Sequence, residues 1–284
     1  ADVVLPAPDR TGYETAVRAA LAEIHEGNSY EVCLTAETHE PLAGPLSLPT
    51  ALGLYLAQRR ANPAPHAAFL WGGDFAVLCS SPERFLRVAA DGWCEAKPIK
   101  GTAARSADSQ VDADCARALA ADPKTRAENL MIADLMRNDL SRVCRPGSIR
   151  VPVLFGVETY ASVHQLVSTV RGRLRPGRTA ADLLAACFPP GSMTGAPKPR
   201  TLEIIDRLEG RARGIYSGTL GWIGADGTAD LAVVIRTLVL SRGEAPGTTT
   251  ASIGAGGAIV ADSDPAAEYE EMLAKLRAPL PPGW

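Results

Sequence analysis

Between residues 66 and 101 the chain carries four short apolar runs, AAFLWGG, FAVLCSS, FLRVAA and WCEAKPIKG, with a turn at Asp91-Gly92 before the last. Runs this short and this closely spaced read as a meander of strands. An earlier strand is expected over 29–40, SYEVCLTAETHE, and two more strand-rich blocks follow the meander. One is SIRVPVLFGVETYASVHQLVSTVRGRL at 148–174. The other pairs 214–223 with 230–241 around a turn at 224–227 and is followed by TTTASIGAGGAIV.

Helical spacing separates these blocks. Residues 11–26 place Tyr13, Val17, Ala20, Leu21 and Ile24 on one face and stop at Gly27. Residues 48–62 open at Pro49 and close before Pro63, and 103–121 form a polar, alanine-rich loop and helix. Asp122-Pro123 caps a long helix to about residue 143. Further helices are expected at 179–187, 200–208 and 265–277. Strands in runs, with helices between the runs, predict an α+β fold and not a strict βαβ barrel. No boundary or short repeat divides the 284 residues, so one domain is expected, with 1–11 as a Pro-rich extended lead-in.

Charge and composition exclude several classes. A net charge of −3 without a Lys/Arg run lacks the footprint of a nucleic-acid binder. No apolar stretch reaches the roughly 18 residues of a spanning helix, and no signal peptide opens the chain, so no membrane segment and a cytoplasmic location are expected. Six cysteines without a CxxC pair, most of them in apolar runs such as FAVLCS and LLAACF, suit reduced core thiols. Ala1 stands where a methionine would begin a gene product, so the chain is expected to be processed or excised from something longer.

Several residues are candidates for chemistry. Pro98-Ile99-Lys100-Gly101-Thr102 sets a lysine between an apolar residue and a glycine, just after an expected strand at 92–96. On a rigid turn leading out of the core such a lysine acts as a nucleophile once burial depresses its pKa; a solvated surface charge is the plainer reading. Glu83, at the Ser-Pro turn of SSPERF, could face that lysine as a general acid or pair with Arg84 or Arg105. Glu128 shares a helix face with Ile132 and Leu135, so its carboxylate needs a metal or a partner such as Lys124. Glu268 and Glu271 share a face of the last helix, where they suit either a hard cation such as Mg²⁺ or the helix dipole.

Arg236 interrupts the run LAVVIRTLVL, with Val234 and Leu238 on its side of an expected strand. A guanidinium there needs an anion, either a ligand carboxylate or an internal acid. Nearby, Gly254, Ala255, Gly256 and Gly257 end a strand, where backbone N–H groups can reach an oxyanion. The turn GSMTGAPK fails the spacing of a nucleotide phosphate loop. His164 is the one histidine in a core-like strand and is equally readable as a satisfied core residue.

Taken in order, PIKGT, AENLMIADLMRNDL, HQLVSTV, PPGSMTGAPKPRTLEIID, YSGTLGW, VIRT, GAGGAIVADS and AEYEE resemble the motifs of the chorismate-utilising enzymes. From about residue 29 to 276 the chain is similar to the chorismate-binding domain of the aminodeoxychorismate synthase component I family. The resemblance implies an α/β/β/α sandwich of the anthranilate synthase/aminodeoxychorismate synthase type that binds chorismate and Mg²⁺. It implies Glu128 and Glu271 as metal ligands, with Glu268 beside them. It puts Arg236, Tyr216, Gly254, Ala255, Gly256 and Gly257 on the substrate carboxylates, and Thr194, Gly195, His164 and Thr102 along the site.

Lys100 separates the branches of the family, since anthranilate synthases look like PIAGT here and aminodeoxychorismate synthases like PIKGT. The implied reaction has Lys100 attack C2 of chorismate as the C4 hydroxyl leaves, with Glu83 as general acid. Ammonia then adds at C4 and expels the lysine, giving 4-amino-4-deoxychorismate, a precursor of para-aminobenzoate and folate or of a secondary metabolite. A glutamine amidotransferase, as partner or fused domain, would supply the ammonia. An anthranilate-type enzyme and an inactive chorismate-binding fragment are the alternatives.

Three departures from the family pattern bear on this. Thr125 stands where relatives often carry an acid, which would loosen metal binding. Gln165 stands where anthranilate synthases have a histidine before LVS. A further N-terminal segment of the full-length relatives, which completes their sandwich and often holds a tryptophan site, is not in this sequence. SYEVCLT most resembles fused amidotransferase–synthase chains, so a C-terminal domain of one is expected.

Overall fold

The computed structural model describes residues 5–161 and 163–280; residues 1–4 of the expected lead-in and Ser162 of the 148–174 block lie outside the described residues. In chain order the first elements are α1 (Arg10–His25), β1 (Glu31–Leu42), α2 (Leu48–Ala61), β2 (His66–Trp71), β3 (Phe75–Ser81), β4 (Arg84–Val88), β5 (Trp93–Ala96) and β6 (Ile99–Ala104). Then come α3 (Ser109–Ala121), α4 (Pro123–Ser141), β7 (Arg150–Thr159), β8 (Val163–Arg173) and α5 (Ala180–Cys187). A 3-10 turn at Gly191–Met193 leads to β9 (Gly195–Ala196), α6 (Lys198–Glu209), β10 (Thr219–Ile223), β11 (Ala229–Val233), β12 (Thr237–Arg242), β13 (Thr249–Ile259) and α7 (Pro265–Arg277).

The strands form two sheets, one ordered β2-β3-β12-β13-β1-β9 and one ordered β10-β11-β4-β5-β8-β6, with β7 also paired to β8. The α+β class expected from the strand runs is the class found. Contacts divide the chain into two compact units: Ala1–Glu83, Met193–Leu220 and Ala232–Trp284 make the first, and Arg84–Ser192 with Gly221–Leu231 the second. Among the described residues, no helix is long and apolar enough to cross a membrane.

In the first unit β1 and β13 run antiparallel from Val32↔Ile259 to Leu42↔Thr249 without a register shift. Their inward residues Val32, Leu34, Ile253 and Ile259 join Val17 and Ala20 of α1, Ile204 of α6 and Met272 of α7 in one core. That core explains α1: its buried Tyr13, Val17 and Ala20 recur at helical spacing, and the Asp9 side chain caps it by accepting from the N–H groups of Thr11 and Gly12. In the second unit α4 buries Ile132, Ala133, Met136 and Leu140. It packs on β8, whose Leu166, Val167 and Val170 are buried. Asp122 caps α4 through the Thr125 N–H, with Pro123 at the first turn, as the sequence predicts.

Strand partners depart from expectation. The block at 66–101 is no single meander: β2 and β3 pair in one sheet, β4 and β5 in the other, and β6 joins β8. The block at 148–174 is two strands, β7 and β8, paired with each other. Residues 214–218 are turns, with Gly214 and Ser217 at positive φ, so that strand begins only at Thr219. The run LAVVIRTLVL breaks as well. It contributes β11 to one sheet and β12 to the other, with Arg236 at φ 53° in the break. The run is apolar on both sides of Arg236, so hydropathy does not show that the two halves join different sheets.

Candidate active site

Two arginines in the first unit show what an anion site requires. Arg213 is saturated: it donates to Glu209 at 2.7 and 2.9 Å, to the Met193 carbonyl at 2.5 Å, to the Cys33 carbonyl at 2.8 Å and to Ser217 Oγ at 3.0 Å. Burial opposes its charge most strongly, but Glu209, Cys33 and Tyr216 together raise its pKa. Arg236 has no such set. Among the described residues, no hydrogen bond or ion pair reaches its guanidinium; burial lowers its pKa, and Tyr216 opposes that shift. Among the described residues, the internal acid named as one alternative is not there. A guanidinium remains charged at neutral pH even so, and an unpaired one in a partly buried setting is a receptor for a carboxylate.

Arg236 lies immediately before Thr237, the first residue of β12, whose ladder with β13 starts at Leu238↔Ile253. Beyond Ile253, β13 is therefore laddered to β1 alone. Gly254, Ala255, Gly256 and Gly257 lie in this stretch, opposite Glu37, Ala36, Thr35 and Leu34. They sit in mid-strand and not at a strand end, and the side of β13 that β12 leaves uncovered is where their alternate N–H groups face. The Tyr216 ring covers Gly254, where a Cβ would come within 2.5 Å of it. Burial pushes the Tyr216 phenol well above its ordinary range, so it is a neutral hydrogen-bond donor. Thr194 is buried, its carbonyl accepting from Cys33 N–H at 2.8 Å, and Gly195 pairs with Val32 at the sheet's far edge.

The carboxylates of α7 gather over the same strand. Glu268 is buried and accepts from Ser263 Oγ at 2.6 Å, while Glu271 pairs with Lys275 Nζ at 2.6 Å. Lys275 also donates to the Gly256 carbonyl at 3.0 Å. A Cβ at Gly257 would lie 2.9 Å from Glu268 Oε2 and 4.0 Å from Glu271 Oε1, so only glycine leaves this cradle open. The two acids share a face as their spacing predicts. Their hard oxygens suit Mg²⁺, although among the described residues no group of three or more His, Cys, Asp or Glu forms a ready metal cluster.

The second unit holds Lys100 and Glu128. Lys100 lies within β6 and not on a turn after a strand. The β6–β8 register shifts between Ile99↔Val167 and Thr102↔Gln165, so Lys100 and Gly101 form a bulge, with Gly101 at φ 85°. A bulge re-aims a side chain out of the pleat. A Cβ at Gly101 would stand 2.3 Å from Thr125 Cγ2 on α4, so the bulge is seated on the first turn of that helix. Glu128 is three residues further along and shares that face. Lys124 Nζ is 4.0 Å from Glu128 Oε1, which is the ion pair given as the plainer reading. Thr102 is exposed.

Glu83 is buried in the first unit, its backbone N–H donating to Ser81 Oγ at 3.2 Å and its carbonyl accepting from Val233 at 3.1 Å. Arg84 is engaged by Asp230 at 2.9 and 3.0 Å, and Arg105 by Asp112 at 2.8 and 2.9 Å. His164 in the second unit is held at both ring nitrogens, by Thr159 Oγ1 at 2.9 Å and Asp112 Oδ1 at 3.0 Å. The satisfied core histidine is the reading the geometry shows. Asp112, with Arg105 on one side and His164 on the other, went unnoticed in the sequence because its partners lie 7 and 52 residues away.

Comparison with known proteins identifies the family. The family model for chorismate binding enzymes matches residues 2–281. An aminodeoxychorismate synthase of Streptomyces pristinaespiralis is 52% identical over 94% of this chain and 36% of its own length. Aminodeoxychorismate synthase component 1 of Klebsiella aerogenes is 45% identical over 94% of this chain and 56% of its own. The crystal structure of anthranilate synthase component I from Streptococcus pneumoniae superposes with a TM-score of 0.85 at 31% identity, covering 98% of this chain and 60% of that one. The chain thus spans little more than a third to under two thirds of these relatives, and has the fold of the anthranilate synthase type. By the match of the family model along nearly its whole length, this chain belongs to the chorismate binding enzymes.

Proposed function

We propose that this chain is the chorismate-binding catalytic part of an aminodeoxychorismate synthase, aminating chorismate at C4 to 4-amino-4-deoxychorismate. The observation that carries the reading is Arg236, a partly buried guanidinium with no acidic partner among the described residues. It stands beside Tyr216 and the one-sided stretch of β13, a setting that suits a substrate carboxylate. Gly254, Ala255, Gly256 and Gly257 bring backbone donors to the same anion. Thr194, Gly195 and Thr102 are the further lining residues proposed, and His164 is proposed to act through its position in the wall.

Lys100 selects the reaction. In its uncharged form the Lys100 amine attacks C2 of chorismate; the ring double bonds shift and the C4–O bond breaks, with Glu83 giving the departing hydroxyl its proton. Ammonia then attacks C4, the double bonds shift back, and the C2–N bond to Lys100 breaks. The seating of Lys100 in a bulge on α4 supports this role, because a nucleophile must be held near its attack geometry. Glu128, Glu268 and Glu271 are proposed to hold Mg²⁺, which when bound would offset the charge of the ring carboxylate. The ammonia is proposed to come from a glutamine amidotransferase, as a separate component or fused domain, in the cytoplasm. Product identification by mass spectrometry with chorismate, Mg²⁺ and ammonium tests the reading. Aminodeoxychorismate is expected, and anthranilate would refute it.

A further inference from the structure

Asn129 is a polar residue in the interior of α4, a position where asparagine is a poor helix former, and it is fully buried. Its side chain joins β8 to the residue just before β6. Nδ2 donates to the Pro98 carbonyl at 3.5 Å and to the Leu166 carbonyl at 3.4 Å, and Oδ1 accepts from Ser168 Oγ. Ser168 Oγ accepts in turn from Phe155 N–H at 3.1 Å, and the Ser168 N–H donates to the Pro98 carbonyl at 3.2 Å. Phe155 sits at φ 59°, a conformation that such an anchored N–H helps to hold.

These contacts surround the bulge that carries Lys100. Bulged residues lie outside the regular ladder, so something else must fix them. On one side Gly101 rests on Thr125. On the other, Pro98 has no N–H, so its carbonyl is its one backbone hydrogen-bonding group, and Asn129 and Ser168 both hold it. Asn129 also follows Glu128 directly on α4. We infer that Asn129 is the positioning residue that ties the Lys100 bulge to the helix bearing Glu128, setting the reach of the nucleophile without touching substrate.

This inference rests on the proposed amination only for its kinetic arm. Asn129→Asp keeps the volume and the acceptor for Ser168 but replaces both donors with an oxygen facing two carbonyls. Asn129→Ala removes the whole clamp. Val143→Ala, a buried position just past the C-terminal end of α4, serves as a control for lost stability. Each variant would be checked for folding by circular dichroism and then treated with formaldehyde and borohydride. Methylation of Lys100 would be compared by peptide mass spectrometry with that of Lys198 in the other unit.

A several-fold change in the Lys100/Lys198 ratio in both Asn129 variants, but not in Val143→Ala, is expected. With chorismate, kcat should fall about tenfold or more while KM stays near the wild-type value, as for a displaced reacting group. An unchanged ratio in a folded Asn129→Asp protein would overturn the inference, and so would a ratio that follows stability in all three variants. If the wild-type protein makes no aminodeoxychorismate, the amination reading fails, while the labelling ratio still decides the role of Asn129.

Discussion

Arg213 and Arg236 carry the same group and differ in what surrounds it, and the difference predicts what each substitution does. On the proposed reading, Arg236→Ala removes a charge-assisted fork from the substrate and should weaken chorismate binding by about 10- to 100-fold, with little change in melting temperature. Arg236→Lys should recover only part of this, since an ammonium cannot reproduce the fork. Isothermal titration with chorismate measures both. If Glu268 holds the proposed Mg²⁺, Gly257→Ala should lower Mg²⁺ affinity about tenfold, because its Cβ would displace the Glu268 carboxylate; titration calorimetry with Mg²⁺ reads it. The sequence alone exposes the type of residue that such a site needs. It does not expose occupancy: the sequence left His164 as either a site residue or a satisfied core histidine, and both of its nitrogens are engaged, one by Asp112, 52 residues away.

At the scale of elements, what was legible is what is local. Caps and breakers are written within a few residues, so Asp122-Pro123 correctly opened α4 and Asn62-Pro63 closed α2. Asp122→Ala should cost about 1 kcal/mol in urea unfolding, the usual worth of such a cap. Strand partners were not legible, because β6 finds β8 across α3, α4 and β7, and no local signal specifies that. The contact that pins α3 to β8 has its own pH signature. Arg105 first, then the Ser106 N–H and His164, hold the Asp112 carboxyl well below the ordinary carboxylate range. Its stabilising effect is therefore complete above the unfolded value near ~3.9 and is lost as pH falls through the lower folded value. Asp112→Asn should be less stable than wild type at neutral pH, with the gap closing on acidification in melts taken between neutral pH and strong acid.

For the whole molecule, the class of fold followed from strands in runs and helices between them, and the motif order pointed to the family. The division of one apolar run between two sheets at Arg236 did not follow, because the break is a matter of φ and not of hydropathy. The proposed chemistry predicts that this chain turns over chorismate with ammonium salts, and with glutamine only when an amidotransferase is added. The most direct test is incubation with chorismate and Mg²⁺ in the absence of ammonia, followed by acid quench and peptide mass spectrometry. An adduct of chorismate less one water on the Lys100 peptide, discharged as aminodeoxychorismate when ammonia is added, is the predicted result. Aminodeoxychorismate formed undiminished by the Lys100→Ala protein would contradict it.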